Sequence, residues 1–364
     1  MITPMPNILK DVPYQSATEY YKGSYIADTL TELGAPCYLV KEICSPQVVT
    51  YHLNLDDPMD INKLKRPISA LGAMLHCRIN LVSSDEAHFA LVMPVSARST
   101  VYFREELTSQ NFCNGRERSR LCALLGRGTD DTTLTIDLAK IPHILIAGAT
   151  GSGKSVCLNT IISSILFNAT PQELQLVMID PKKVEFSIYD GLPHLAVPVI
   201  KDYESAVKHL RNLCAFMDKR YQLMSQKHAK NASEIGLPSM IIVIDELADL
   251  MLVSRYEVEE YIIRLAQLGR AAGIHLIIAT QRPTVNVITG LIKSNMPCKI
   301  ALQTSSIRDS MNILDHKGAE SLTGRGDALL KLPDRVEEVR FQSAYIDTDD
   351  IQRIVKYWFL QKLA

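Results

Sequence analysis

The apolar positions of this chain change their spacing twice. From about Gly23 to Pro94 they come in short pieces. "YIADTLTEL" has helical spacing, "VVTYHLNL" alternates as a half-buried strand does, "INKLKRPISALGAML" is helical again, and "AHFALVMPV" reads as a strand. This predicts a small α+β unit. Residues 96–128 are polar and charged ("SARSTVYFREELTSQ", "NGRERSR"), which predicts a connector carrying a short helix. Beyond it the runs "HILIAG", "LQLVMID", "MIIVIDE", "HLIIAT" and "KIALQT" recur between helical stretches. Apolar runs without alternation suit strands buried on both faces, so the rest of the chain is expected to be α/β with a mainly parallel sheet. The expected division is an N-terminal extension over 1–22, a small α+β domain over 23–115 and the α/β domain over 116–364.

Composition narrows the function classes. With 364 residues, 47% hydrophobic and 22% charged, the chain can bury two cores without staples. A net charge of −1 argues against wholesale coating of nucleic acid, so a polyanion partner must be met by a few placed cations. The eight cysteines are scattered, without CxxC or metal-ligand spacing, which predicts reduced thiols in a cytoplasmic protein. No window approaches the roughly 18–20 apolar residues that span a bilayer, and "MITPMPNILKDVPYQS" lacks a long apolar core. The expectation is a soluble chain with no membrane segment.

The chemistry concentrates at "GATGSGKS", Gly148 to Ser155, which fits GxxxxGK[ST] between a strand-like run and a helix. The helix carries the stripe Leu158, Ile161, Ile162, Ile165 and Leu166. Gly148, Gly151 and Gly153 permit a tight turn in which the N–H groups of the loop, Ala149, Thr150 and Ser152 included, point at phosphate oxygens. Lys154 is then placed on the β- and γ-phosphates of a nucleotide and Ser155 on Mg²⁺. A glycine-rich turn with an incidental lysine is the competing reading, and the flanks argue against it.

"MIIVIDELADL" ends an apolar run in Asp245 and Glu246. Asp245 is the candidate for the Mg²⁺ shell and Glu246 for the general base that polarises water. Two carboxylates ending a buried strand are costly as mere structure. "HLIIATQ" ends in Gln281, either a sensor of the γ-phosphate or a cap in the turn before Pro283. In "SRYEVEEYIIRLAQLGRAAG", Val258, Tyr261, Ile262, Leu265 and Leu268 share a face; Arg270 lies off it, where an arginine is usually a solvated charge.

These motifs in order resemble the FtsK/SpoIIIE family of double-stranded DNA translocases, members of the RecA-like P-loop ATPases. The matching stretches are "IPHILIAGATGSGKSVCLN", "MIDPKKVEFSIYDGLPHL", "VIDELADLM", "RLAQLGRAAGIHLIIATQRPTVNVITGLIKSNMP" and "GAESLTGRGDALL". The likeness runs from Tyr25 to Trp358 and implies the family's α subdomain followed by its RecA-like β subdomain. It implies ATP and Mg²⁺, with Lys154 and Ser155 as Walker A residues, Asp245 and Glu246 as the Walker B pair, and Gln281 after the sensing strand. It also implies a homo-oligomer, a hexameric ring, in which Arg270 reaches the neighbouring subunit's ATP.

Pore loops that grip duplex DNA would lie in "QRPTVNVITGLIKSN" and "TSSIRDSMNIL", with Arg282, Lys293 and Arg308 as DNA-binding candidates. The second loop departs from the family pattern SSKIDSRxIL. Ile307 stands where lysine is expected and Met311 where arginine is expected, with Arg308 one place along. The likeness does not extend to the family's membrane segments or its winged-helix domain. The function so implied is an ATP-driven motor moving duplex DNA in chromosome or plasmid segregation or transfer. The alternatives are a secretion-type ATPase moving protein and a nucleotide-gated scaffold; the second needs neither Glu246 nor Arg270.

Overall fold

The smaller of two compact units comprises Pro13–Val101 with Arg127–Thr132. The structure, a computed structural model, describes residues 2–14, 20–56, 61–82, 84, 86–95, 99–335 and 337–363. The expected N-terminal extension and connector therefore lie outside the described residues at positions 1, 15–19 and 96–98. In the smaller unit helices α1 (Gly23–Glu32) and α2 (Lys65–Met74) accompany strands β1 (Cys37–Cys44), β2 (Val48–Leu55), β3 (Asn80–Val82) and β4 (Phe89–Pro94). The strands form a sheet in the order β1-β2-β4-β3, its described pairs antiparallel. Val49, Tyr51 and Leu53 of β2 join Ile26 and Leu30 of α1 and Ile68 and Leu71 of α2 in one core.

The larger unit comprises Met1–Val12, Tyr102–Gly126 and Thr133–Ala364. Its elements begin with α3 (Phe103–Leu107), α4 (Gln110–Arg118), β5 (Cys122–Gly128), whose last two residues are grouped with the smaller unit, β6 (Thr133–Asp137), β7 (His143–Ala147) and α5 (Lys154–Leu166). They continue through β8 (Leu174–Ile179), α6 (Tyr203–Gln226), β9 (Ser239–Ile244), α7 (Leu247–Leu268), β10 (Ile274–Thr280), α8 (Gly290–Asn295) and β11 (Cys298–Leu302). Last come α9 (Ile307–Leu314), β12 (Asp327–Lys331), β13 (Val339–Ser343) and α10 (Thr348–Leu363). The strand order is β6-β5-β13-β12-β11-β7-β10-β9-β8. The run from β11 through β7, β10 and β9 to β8 is parallel, while β12 is antiparallel to both β11 and β13. This is the expected α/β fold with a mainly parallel sheet, its strands buried along their whole length in β7 and β10.

The larger unit resumes at Tyr102. Aromatic packing holds this part of the chain in it: Phe103 meets Phe167 edge to face at 6.0 Å, and Phe103 N donates to Tyr345 O at 2.9 Å. Residues 1–12 also belong here. Lys10 N donates to Asp350 Oδ1 at 2.9 Å, and its Nζ bonds Asp347 and Asp349 at 2.9 and 2.6 Å, at the start of α10.

Two helices differ from their sequence patterns. The stripe of α5 is buried, but so are Cys157, Thr160, Ser163 and Ser164, because α5 is covered on its far side as well as by the sheet. Thr160 Oγ1 donates to Ala344 O at 2.6 Å, and Trp358 Nε1 of α10 donates to Leu166 O at 3.2 Å. In α7 Val258, Ile262 and Leu265 are buried as expected, whereas Leu268 is exposed. The helix breaks at Ser254 (φ −148°), whose Oγ donates to Glu257 Oε2 at 2.6 Å. The eight cysteines are unpaired, and no described helix is long and apolar enough to cross a membrane.

Three buried histidines make the larger unit acid-sensitive. Burial pushes His143 down to about 3 and His194 and His275 to about 4, from an ordinary 6.5. Below pH 6.5 the unfolded chain takes up protons that the folded chain refuses, so stability is complete above that value and is lost as pH falls toward 4. At pH 5.5 this amounts to about 1.4 kcal/mol per histidine. The thermal midpoint is expected to drop by roughly 10 °C between pH 7 and pH 5.5. A flat midpoint over that range would contradict the burial assigned to these rings.

Candidate nucleotide site

Parallel strands end at one edge of the sheet, and that edge collects the predicted residues. The loop Gly148–Gly153 leaves the end of β7 and runs into α5. Gly151 (φ 78°) and Gly153 (φ 103°) are left-handed, and a Cβ on Gly153 would lie 2.4 Å from Gly326 N, so only glycine fits there. Ala149 N donates to Gln303 O at 2.8 Å and Ser152 N to Ala149 O at 3.1 Å, which fixes the loop. Among the described residues the N–H groups of Thr150, Gly151 and Gly153 donate to no protein acceptor. Free donors at the start of a helix are the chemistry that binds a phosphate chain.

Lys154, the first residue of α5, is 3% exposed, and its Nζ donates to Asp245 Oδ1 and to Asp245 O, both at 2.7 Å. Asp245 and Glu246 follow β9 directly, so the predicted carboxylates reach the cradle. Glu246 caps α7 through Ala248 N at 3.4 Å. Its carboxylate also accepts Thr280 Oγ1 at 2.6 Å and Gln281 N at 3.0 Å. Gln281 follows β10, and its Oε1 accepts from Thr150 Oγ1 at 2.8 Å. Lys154, Asp245, Glu246, Gln281 and the loop thus form one connected group.

Three participants escaped the sequence reading. The loop after β8 is folded around Asp180, which accepts the N–H groups of Lys183, Glu185 and Phe186 at 3.0 Å each. That loop brings Glu185 to Ser155, whose Oγ donates to Glu185 Oε1 at 2.6 Å. It also brings Lys182 to Asp249 at 2.9 Å and to Glu246 at 3.9 Å. Thr280 is the third. The available signal was "LQLVMID", an apolar run ending in aspartate as "IIVID" does. Ser155 and Asp245 suit Mg²⁺, which keeps most of its water and needs few protein oxygens.

The remaining candidates lie elsewhere. Arg270 is exposed just ahead of β10, at the end opposite Gln281. A seven-residue strand at ~3.3 Å per residue puts it roughly 20 Å from the cradle of its own chain. Arg282 and Arg308 are exposed, and their segments adjoin, since Asn312 Nδ2 of α9 donates to Pro283 O at 2.9 Å. Lys293 is instead engaged: its Nζ lies 2.6 Å from Asp315 Oδ1 and donates to Met311 O at 3.0 Å. Ile307 and Met311 are 56% and 45% exposed, so the second loop presents apolar surface beside Arg308.

The FtsK/SpoIIIE family matches residues 104–236 and 228–285. A DNA translocase FtsK of Clostridium acetobutylicum is 39% identical over 91% of this chain and 45% of its own length. One of Oceanobacillus iheyensis is 39% identical over 99% of this chain and 49% of its own. The chain spans about half the length of these curated relatives. Among solved structures, the pCW3 conjugation coupling protein TcpA, in monomer form with ATPγS, superposes with a TM-score of 0.64 at 27% identity, covering 92% of this chain and 98% of that one. The cytoplasmic domain of the Thermomonospora curvata type VII secretion ATPase EccC shares the fold at a TM-score of 0.59 and 24% identity, over 66% of this chain and 31% of that one. With the glycine cradle, the strand-end carboxylates and the polar strand end all on one sheet edge, this chain belongs to the FtsK/SpoIIIE family.

Proposed function

We propose that the chain is an ATP-driven motor that moves double-stranded DNA, assembled as a homo-oligomeric, hexameric ring in a cytoplasmic setting, for chromosome or plasmid segregation or transfer. The observation that carries the reading is the closed group of Lys154, Asp245, Glu246, Gln281 and Thr150 around a loop with free N–H donors. The relatives named DNA translocase, at 39% identity over nearly the whole chain, support DNA as the polymer. The secretion ATPase shares less sequence and less of the chain.

In this reading Gly148–Ser155 would hold the triphosphate, and Ser155 and Asp245 would hold Mg²⁺, with Asp245 in its surrounding shell. The metal, when bound, neutralises charge on the transferring phosphoryl group. Lys154 must then exchange Asp245 for phosphate oxygens, a short swing for a flexible stem. Glu246 receives the proton of the attacking water, and the Thr280 and Gln281 donors fix its orientation. Gln281 connects that carboxylate to Thr150, so a change at the γ-phosphate position is felt at the end of β10 and in the adjoining Arg282 segment.

Arg270, remote from its own cradle, acts on a neighbouring subunit's nucleotide. Arg282 and Arg308 hold the DNA backbone. Lys293, its charge offset by Asp315, contributes less to grip and braces α8 on α9.

Lys154→Ala should weaken nucleotide binding about 100-fold, measured by calorimetry, because a phosphate loses its charged donor. Glu246→Gln should keep binding and slow hydrolysis by roughly a thousandfold; full turnover in this variant would remove Glu246 from the base role. Arg270→Ala subunits mixed with Lys154→Ala subunits should regain part of the activity that each lacks alone, through hybrid boundaries. No recovery in demonstrably mixed rings would contradict a trans arginine. Arg308→Ala should lower DNA-stimulated turnover and flatten its salt dependence; unchanged values would take α9 out of the DNA path.

A further inference from the structure

The stretch "TGRGD", Thr323 to Asp327, is clamped against the cradle. Gly326 N donates to Ser152 O at 2.7 Å. A Cβ on Gly153 would lie 3.1 Å from the carbonyl carbon of Arg325. The other side of the stretch is tied to β13: Ser343 N donates to Gly326 O at 2.8 Å and Gln342 Nε2 to Arg325 O at 2.8 Å. Beneath, the buried Asp327 accepts Thr323 N at 2.7 Å and Arg340 Nε and Nη2 at 3.0 and 2.8 Å. The carbonyls of Gly324, Arg325 and Gly326 and the N–H of Gly326 are therefore all held.

The Arg325 side chain is the exception. It is exposed and makes no hydrogen bond or ion pair among the described residues. Its φ of 52° is left-handed, between Gly324 at 76° and Gly326 at 94°. Glycine would take this conformation without strain, whereas a side chain there is held against a steric penalty. The topology sets the direction. Because β12 is antiparallel to β11, its first residue lies at the same sheet edge as Gly148. Asp245 and Glu246 stand on the β10–β9 flank of the cradle, and Arg325 stands on the β11–β12 flank. The cradle has acids on one side and one unpaired cation on the other.

We propose that Arg325 binds, within its own chain, the diphosphate part of the nucleotide held by Gly148–Ser155. This rests on the nucleotide reading of that loop. A guanidinium offers phosphate oxygens a planar pair of donors, and its rigid mount removes most of the ordering that a flexible loop would require. The flank away from Asp245 and Glu246 faces the part of the phosphate chain that ATP and ADP share. Arg325 therefore strengthens both nucleotides, unlike an arginine that meets only γ-phosphate charge.

The test uses the full chain, with equilibrium binding of fluorescent ADP and of ATPγS in the presence of Mg²⁺, and thermal melting without nucleotide. Arg325→Ala and Arg325→Gly should weaken both nucleotides about tenfold, with a reduced salt dependence, and Arg325→Lys should be intermediate. Arg325→Gly should melt at or above the wild-type temperature, because it relieves the left-handed strain while removing the contact. ADP affinity within twofold of wild type in both the Ala and Gly variants overturns the proposal. So does a loss confined to ATPγS, which would place the arginine on the γ-phosphate, or a lower melting temperature that accounts for the lost binding. Wild-type protein that binds neither nucleotide would overturn the nucleotide reading itself, a result distinct from variants that match a wild type that does bind.

Discussion

A single buried ion pair organises the functional edge. Lys154 and Asp245 meet at 2.7 Å with side chains 3% and 5% exposed. Taking both charges out of water is expensive, and apolar residues of similar size would often hold a fold as well. What the pair does is geometric. The strands that deliver the two residues, β7 and β9, are not neighbours, because β10 lies between them. The pair spans that intervening strand and ties the first residue of α5 to the end of β9. Glu246 comes next in the chain and is held by Thr280 and Gln281 at the end of the strand between, and Gln281 returns to Thr150. The circuit closes on the loop where it began, so displacing one member moves the others.

The parts of this arrangement that were legible in the sequence share a physical cause. Strands buried on both faces must be apolar throughout, so β7, β8, β9 and β10 announce themselves, and polar residues at their ends stand out against them. That contrast exposed Asp245, Glu246 and Gln281. It showed Asp180 equally well, but what Asp180 does is fold a loop, and nothing local says that the loop will carry Glu185 to Ser155 or Lys182 to Glu246. Thr280 was hidden because a threonine in a strand has an ordinary explanation in β propensity. The start of the larger unit is hard to see for a similar reason: the polar surface of α3 and α4 resembles a connector, while the apolar anchors that commit them are the three residues Phe103, Leu107 and Phe112. Arg325 drew no notice as a residue, since its meaning depends on a left-handed backbone and a neighbour more than 170 positions away.

The second loop shows how a local substitution is read differently once packing is known. Ile307 and Met311 replace charges that the family pattern expects, yet both project outward instead of filling the core. The helix that carries them is still capped by Ser306 and still fastened by Asn312 and Lys293. Shape is kept while the chemistry of the exposed face changes from cationic toward mixed. The nearby Asp315, left-handed at φ 74°, holds Lys293 and approaches Lys331 at 3.4 Å, so much of the remaining positive charge here is balanced internally.

The attachment of Lys10 to the start of α10 joins groups 340 positions apart. During synthesis from the N-terminus Lys10 leaves the ribosome long before Asp347, Asp349 and Asp350 exist. For that interval Lys10 lacks its aspartates, while its neighbours Leu9 and Asp11 can already meet Arg104, and everything between can fold first, at a few to some twenty residues per second. The larger unit is thus completed by one of its earliest-made segments meeting one of its latest, after the sheet is in place. A chain halted before α10 would leave Lys10 without Asp349 and Asp350, and α5 without the Trp358 donor that meets Leu166 O, so two distant parts of the larger unit wait on the same helix.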